Sequence, residues 1–132
     1  MLAKKIWDIF NLVKSNFTYV SDEKQHGLRE CWVQPDESYD GSQPVVGDCE
    51  DFALACRSLL LKAGIKSRLV VCKTETGELH CVVAAEDSSG EIHIMDNRNS
   101  YTVSKEFMDE RYETLKVSDC NPGGKWYKVK KE

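Results

Sequence analysis

The stretch that most constrains this chain is Gly47-Asp48-Cys49-Glu50-Asp51-Phe52-Ala53, together with the apolar run that follows it. Asp48 reads as a helix N-cap whose carboxylate accepts a bond from a first-turn amide. Asp51 is placed to reach back to the cap in the manner of a capping box. Cys49, Phe52, Ala53, Cys56, Leu59, Leu60 and Ala63 then form a helical stripe that stops at Gly64, a C-terminal signal. A thiol therefore sits in the first turn of a buried helix, where unpaired amides and the helix dipole favour a thiolate. Cys49 also continues the stripe, and buried cysteine is common in cores, so by itself it reads more readily as packing than as catalysis. Its company weighs against that: a glycine before the cap, three acids around the thiol, and suitable partners downstream.

At 132 residues, 41% hydrophobic and 30% charged, the chain fits one soluble domain with a single core. A net charge of −4 argues against nucleic acid as a partner. No apolar run approaches a membrane span, so no membrane role is expected. The N-terminus lacks the apolar core of a signal peptide, and the expected location is cytoplasmic with reduced thiols. The six cysteines form no C-x-x-C pair and match no zinc spacing, which disfavours a small metal-binding protein.

Leu2, Ile6, Ile9, Phe10, Val13 and Phe17 predict an amphipathic helix over about residues 2–15, followed by a short extended segment at 17–20. Residues 21–47 show no period and read as an ordered loop lining a cleft over the thiol. After the nucleophile helix come β-patterned runs at 68–73, 79–85 and 91–96, separated by short turns that imply antiparallel hairpins. A short helix at 105–111 and a last hairpin from 115–117 and 126–129 complete the reading. The fold class is α+β, with the Cys49 helix packed on an antiparallel sheet and an extra N-terminal helix.

A cysteine nucleophile needs a base, and the base needs an orienting group. Of the three histidines, His26 lies in the irregular loop, while His80 and His93 lie in neighbouring strands. Strand side chains alternate faces, so register decides which histidine meets Asp96. A loop Ser88-Ser89-Gly90 closing between Asp87 and Glu91 places Asp96 diagonal to His80 and turns His93 and Met95 away. Positive φ at Gly90 and a contact between Asp96 and the His80 ring are therefore expected. The same register puts Leu69, Val71, Val82, Ala84, Ile92 and Ile94 on the His80 face, to receive the Cys49 helix. A turn centred between Thr76 and Gly77 would pair Cys72 with Cys81 on the opposite face. The acids Asp48, Glu50 and Asp51 oppose a thiolate, so a Cys49–His80 ion pair that depends on contact is expected.

These residues resemble a family. Gly47-Asp48-Cys49-Glu50-Asp51-Phe52-Ala53 is similar to the G-D-C-E-D-[YF]-A signature of the bacterial transglutaminase-like cysteine peptidases. Trp32-Val33-Gln34-Pro35-Asp36-Glu37 resembles their W-x-x-P-x-E element, and Met95-Asp96-Asn97 their L-D-N segment. The resemblance implies a papain-like or transglutaminase-like core with Cys49 as nucleophile, His80 as base and Asp96 as orienter, and Trp32 beside the cleft. By general cysteine-enzyme logic the Cys49 amide is one oxyanion donor, and Trp32, Gln34 and Gln43 are candidates for the second. Some members depend on calcium through acids beside the nucleophile. Asp48 and Glu50 match these, although two acids fall short of the oxygens calcium needs and no other cofactor is implied.

The expected activity is thiol-dependent hydrolysis of an amide bond in a protein or peptide substrate through a thioester. The same residues would serve an amidase, a deamidase or a transglutaminase. A binding module on an inherited catalytic fold is the alternative of another class, and the complete set of three argues against it.

Overall fold

The structure is a computed structural model that describes residues 2–20, 38–118 and 126–128. Residues 21–37, expected as a loop and including His26, Cys31, Trp32 and Gln34, lie outside the described residues, as does Cys120. Helix α1 spans Leu2–Ser15 and strand β1 Phe17–Tyr19, and strand β2, Val45–Gly47, leads into helix α2, Cys49–Lys62. Strands β3 (Ser67–Lys73), β4 (Leu79–Glu86), β5 (Ile92–Met95) and β6 (Val103–Ser104) follow, then helix α3 (Lys105–Arg111) and strands β7 (Glu113–Ser118) and β8 (Trp126–Lys128). The large sheet is ordered β6-β5-β4-β3-β7-β8, with every pair antiparallel.

Both principal helices form where their apolar stripes require. In α1, Ile6, Ile9, Phe10 and Val13 are buried, and the stripe packs on α2 through an edge-to-face contact of Phe10 with Phe52 at 5.7 Å. Phe17 adds a second such contact to Phe52 at 5.1 Å, so the end of α1 and the start of β1 are anchored on α2. The extended segment after α1 pairs in parallel with β2, with Tyr19 opposite Gly47. This pairing joins two segments far apart in sequence, and no local period in residues 45–47 announces it.

The β4–β5 hairpin has the expected register. Asp87 donates its amide to Glu91, Gly90 bonds back to Asp87 at 3.1 Å, and Gly90 takes φ +87°. Val83 faces Met95 and Ala84 faces Ile94, so the next step sets Asp96 across from Val82.

The β3–β4 hairpin differs by one residue from the expectation, because its turn has the same chemistry. Thr74 pairs with Glu78, Gly77 bonds to Thr74 at 2.9 Å, and Gly77 takes φ +85°. The loop is thus Glu75-Thr76-Gly77 with a left-handed glycine, and Cys72 faces His80 while Val71 faces Cys81. Cys72 and Cys81 consequently point to opposite faces and do not form a cross-strand pair.

That shift moves Leu69 and Val71 off the His80 face and brings Val70 and Cys72 onto it. Leu69, Cys81, Val83, Ala85 and Met95 form the face that packs with α1 and α2. Val70, Cys72, Val82 and Ile94 lie on the His80 side, covered by Met108 of α3 and by Tyr112. The expected docking of the Cys49 helix on the His80 face is therefore corrected: the helix lies on the other face. Its first residue meets β4 near the point where β5 pairing stops.

Candidate active site

The start of α2 is built as a capping box. Asp48 is extended, and its side chain accepts the Glu50 amide at 3.0 Å and the Asp51 amide, while Asp51 Oδ2 accepts the Asp48 amide at 3.0 Å. Gly47 is needed because a Cβ there would lie 2.0 Å from Asp51 Oδ2. The box fixes Cys49 as the first residue of the helix, buried but open to a cleft.

The ladder between β4 and β5 ends at Val83 and Met95, so the first residues of β4 run on past that partner. His80 and Cys81 lie on this overhanging stretch. The Cys81 backbone N–H donates toward the Cys49 sulfur. After Met95 the chain turns, with the Asn99 amide bonded to the Asp96 carbonyl at 3.0 Å. Lys14 Nζ of α1 donates to the Asn97 carbonyl at 2.7 Å, which ties this turn to the N-terminal helix.

Asp96 lies at the edge of the His80 ring and is 1% exposed. Its Oδ1 accepts from His80 Nε2 at 2.7 Å and from the Arg98 amide at 2.9 Å, and its Oδ2 accepts from the Tyr112 hydroxyl at 2.7 Å. Burial opposes the Asp96 charge, but the His80 bond and charge, the Arg98 amide and the Tyr112 hydroxyl outweigh it. Its carboxyl is held below the ordinary range. An ionised Asp96 only accepts, so His80 Nε2 carries a proton and Nδ1 is the nitrogen left to take one.

Among the described residues, a cleft of about 490 Å³ is lined by Tyr19 of β1, Cys49, Thr74, Thr76 and Glu78 of the β3–β4 turn, Leu79 and His80 of β4, and Asn97 and Arg98. Burial pushes the Cys49 thiol up to about 12. The Cys81 amide works against this, and the charges of Asp48, Glu50 and Asp96 add to it. Burial also raises Cys56, Cys72 and Cys81, so proton affinity does not single out Cys49. Position does: of these four buried free thiols, Cys49 is the one that lines the cleft beside His80.

The structure thus brings Cys49, His80 and Asp96 to one place. His93 bonds instead to Asp87 Oδ2 at 2.8 Å within its own hairpin. Gln43, expected as an oxyanion candidate, is held by its own loop. Its Nε2 donates to the Ser38 carbonyl and its Oε1 accepts the Asp40 amide, both at 3.0 Å. Trp32 and Gln34 lie outside the described residues. Sequence reasoning missed Tyr112 and Arg98, which complete the surroundings of Asp96. The available signal was weak: a tyrosine closing a short helix, whose hydroxyl needs a partner once buried.

The sequence profile described as bacterial transglutaminase-like cysteine proteinase, BTLCP, matches residues 1–132. The chain belongs to this family. Among solved structures, it is similar to Legionella pneumophila LapG in an EGTA-treated form, at 18% identity and TM-score 0.74, covering 99% of this chain and 69% of that one. The calcium-bound form of LapG gives 18% identity and TM-score 0.74, with coverage of 99% and 71%. A Cytophaga hutchinsonii protein described as a candidate cysteine protease gives 15% identity and TM-score 0.58, covering 97% of this chain and 43% of that one. No curated protein sequence matches. The protein is accordingly a transglutaminase-like cysteine peptidase on the mixed helix-and-sheet fold of that family. No helix among the described residues is long and apolar enough to cross a membrane.

The cap and the field of Asp48 can be separated by mutation. Asp48→Asn keeps the cap, since asparagine caps about as well as aspartate, and removes a charge that opposes the thiolate. With a chelator present, the pH midpoint for alkylation of Cys49 should fall while the denaturant midpoint stays near wild type. Asp48→Ala removes both features and should cost roughly 1 kcal/mol of stability. An unchanged alkylation midpoint in Asp48→Asn would show that the Asp48 charge does not act on the thiol.

Proposed function

We propose that this peptidase cleaves peptide bonds in protein substrates through a thioester on Cys49, with His80 as base and Asp96 as its orienter. The observation that carries the proposal is the buried His80–Asp96 bond at 2.7 Å beside a cleft that Cys49 also lines. Asp96 fixes the proton on Nε2, so Nδ1 takes the Cys49 proton as the sulfur attacks the scissile carbonyl carbon. The oxyanion that forms needs donors. The cap consumes the Glu50 and Asp51 amides but not that of Cys49, which we assign as the first donor. Trp32 and Gln34 remain our candidates for the second. The imidazolium then protonates the leaving amine, and the thioester forms as the tetrahedral carbon collapses. Water, deprotonated by His80, releases the acid and restores the thiol.

The assignment is tested by limiting iodoacetamide at neutral pH, with the modified thiol mapped by mass spectrometry. Cys49 should react ahead of Cys31 and Cys120, and His80→Ala should slow that reaction by roughly 10²-fold or more. Labelling of Cys49 no faster than of the other thiols would contradict the assignment and favour a binding module. Digestion of a peptide library with an added primary amine separates hydrolysis from acyl transfer. New carboxyl termini are expected, and incorporated amine would identify a transglutaminase.

Calcium is the finer part of this proposal. Burial raises the Asp51 carboxyl and the neighbouring Asp48 charge adds to it, although the bond from the Asp48 amide works the other way. Asp48 and Asp51 put two carboxylates at the start of α2, and a divalent cation held there would take its remaining oxygens from backbone carbonyls and water. Bound there, the cation would cancel charges that oppose the Cys49 thiolate. Calcium should therefore raise the melting temperature, and Asp51→Asn should abolish the rise. A melting temperature indifferent to calcium would remove the metal from the account.

A further inference from the structure

The catalytic reading uses one oxygen of Asp96 against His80, and the structure accounts for the other. Tyr112, the residue that ends α3, is buried with its ring edge-to-face on His80 at 5.6 Å. Its hydroxyl donates to Asp96 Oδ2 at 2.7 Å and accepts from Arg98 Nη1 at 3.0 Å. The direction of these bonds is fixed by chemistry: a guanidinium only donates, so the single phenolic proton goes to the carboxylate.

We propose that Tyr112 is a positioning residue for catalysis: it pins the second oxygen of Asp96, so that the first stays aimed at His80 Nε2. A carboxylate held at one oxygen can rotate about its side-chain bond, and each rotation loosens the tautomer on which proton transfer at Nδ1 depends. A carboxylate held at both oxygens cannot. Arg98 belongs to the same device twice, through its amide on Oδ1 and its guanidinium on the phenol. Glu75, on the β3–β4 turn, steadies the assembly by accepting from Arg98 at 2.8 Å and from Arg111 at 3.3 Å. Arg98 and Arg111 both lie over the Tyr112 ring, at 5.5 and 5.4 Å from its centre. Burial and the bond to Asp96 push the Tyr112 hydroxyl above its ordinary range, so it remains a donor at working pH.

A purely structural tyrosine would make the same contacts, so the test must read His80 itself. The inference rests on the catalytic assignment above, and the comparison of wild type with His80→Ala decides that assignment separately. In Tyr112→Phe, cooperative melting should persist, and iodoacetamide labelling of Cys49 should slow roughly tenfold, the loss of one hydrogen bond to a charged group. This is far short of the ~10⁴-fold that losing an orienting carboxylate costs a serine triad. In the inert Cys49→Ala background, the imidazole ¹⁵N shifts of His80 should move from a single Nε2-protonated tautomer toward averaged values. Labelling within twofold of wild type, with unmoved ¹⁵N shifts, overturns the proposal. Arg98→Met keeps the backbone bond to Asp96 and loses the guanidinium, with its bonds to the phenol and to Glu75. It should give smaller changes of the same kind that do not add to those of Tyr112→Phe. Full additivity also overturns the proposal. Should Tyr112→Phe fail to melt cooperatively, the same two readouts on Arg98→Met decide the matter.

Discussion

The hydrogen bond between His80 and Asp96 is the interaction on which the site depends, and it is produced by register rather than by sequence proximity. The loop Ser88-Ser89-Gly90, closed by Asp87 and a left-handed Gly90, sets the β4–β5 ladder so that the residue after Met95 arrives beside His80. A slip of one residue would turn every side chain of β5 to the opposite face and leave the imidazole without its carboxylate. The Asp87 side chain guards against that slip: one oxygen accepts from Ser89 and Glu91, and the other meets His93. The second histidine therefore serves the turn that places the first.

The early end of the β4–β5 ladder lets two faces of one sheet meet at a single cleft. Cys49 comes from the helix on one face, and His80 points to the other. They come together because β4 continues past the last β5 pair and exposes an amide, that of Cys81, to the sulfur. The electrostatics of the cleft run against an isolated thiolate. Burial and three nearby acids raise the Cys49 thiol, and only the helix start and the Cys81 amide oppose them. A site of this kind holds its nucleophile protonated and releases the proton only to a base in contact. The surroundings of the base therefore govern reactivity more than those of the thiol.

Much of this was legible in the residues. The capping box was readable because Asp48, Asp51 and the stripe from Cys49 to Ala63 are local signals with fixed spacing. The partnership of His80 with Asp96 followed from one turn whose chemistry was recognised. The neighbouring hairpin was placed one residue out because Gly77 was not credited with the same left-handed role as Gly90. That step put Leu69 and Val71 on the wrong face and paired Cys72 with the wrong residue, while the face on which α2 packs was missed separately, because both faces of the sheet are apolar. The β1–β2 pairing and the bond from Tyr112 to Asp96 join segments distant in sequence, so nothing local announces them. Calcium, by contrast, was judged from Asp48 and Glu50 alone, and the crowding that bears on it lies between Asp48 and Asp51.

The central claim is that Cys49 ionises only by handing its proton to His80. It is tested most directly by following thiolate ultraviolet absorbance against pH, as the difference between the intact protein and Cys49→Ser. The account predicts that Cys49 stays protonated near neutral pH in the intact protein, because burial and the nearby acids raise its thiol. In His80→Ala its reaction with iodoacetamide at neutral pH should nonetheless fall, because the base that takes its proton is gone. A thiolate already present near neutral pH, or labelling of Cys49 indifferent to the loss of His80, would contradict the account.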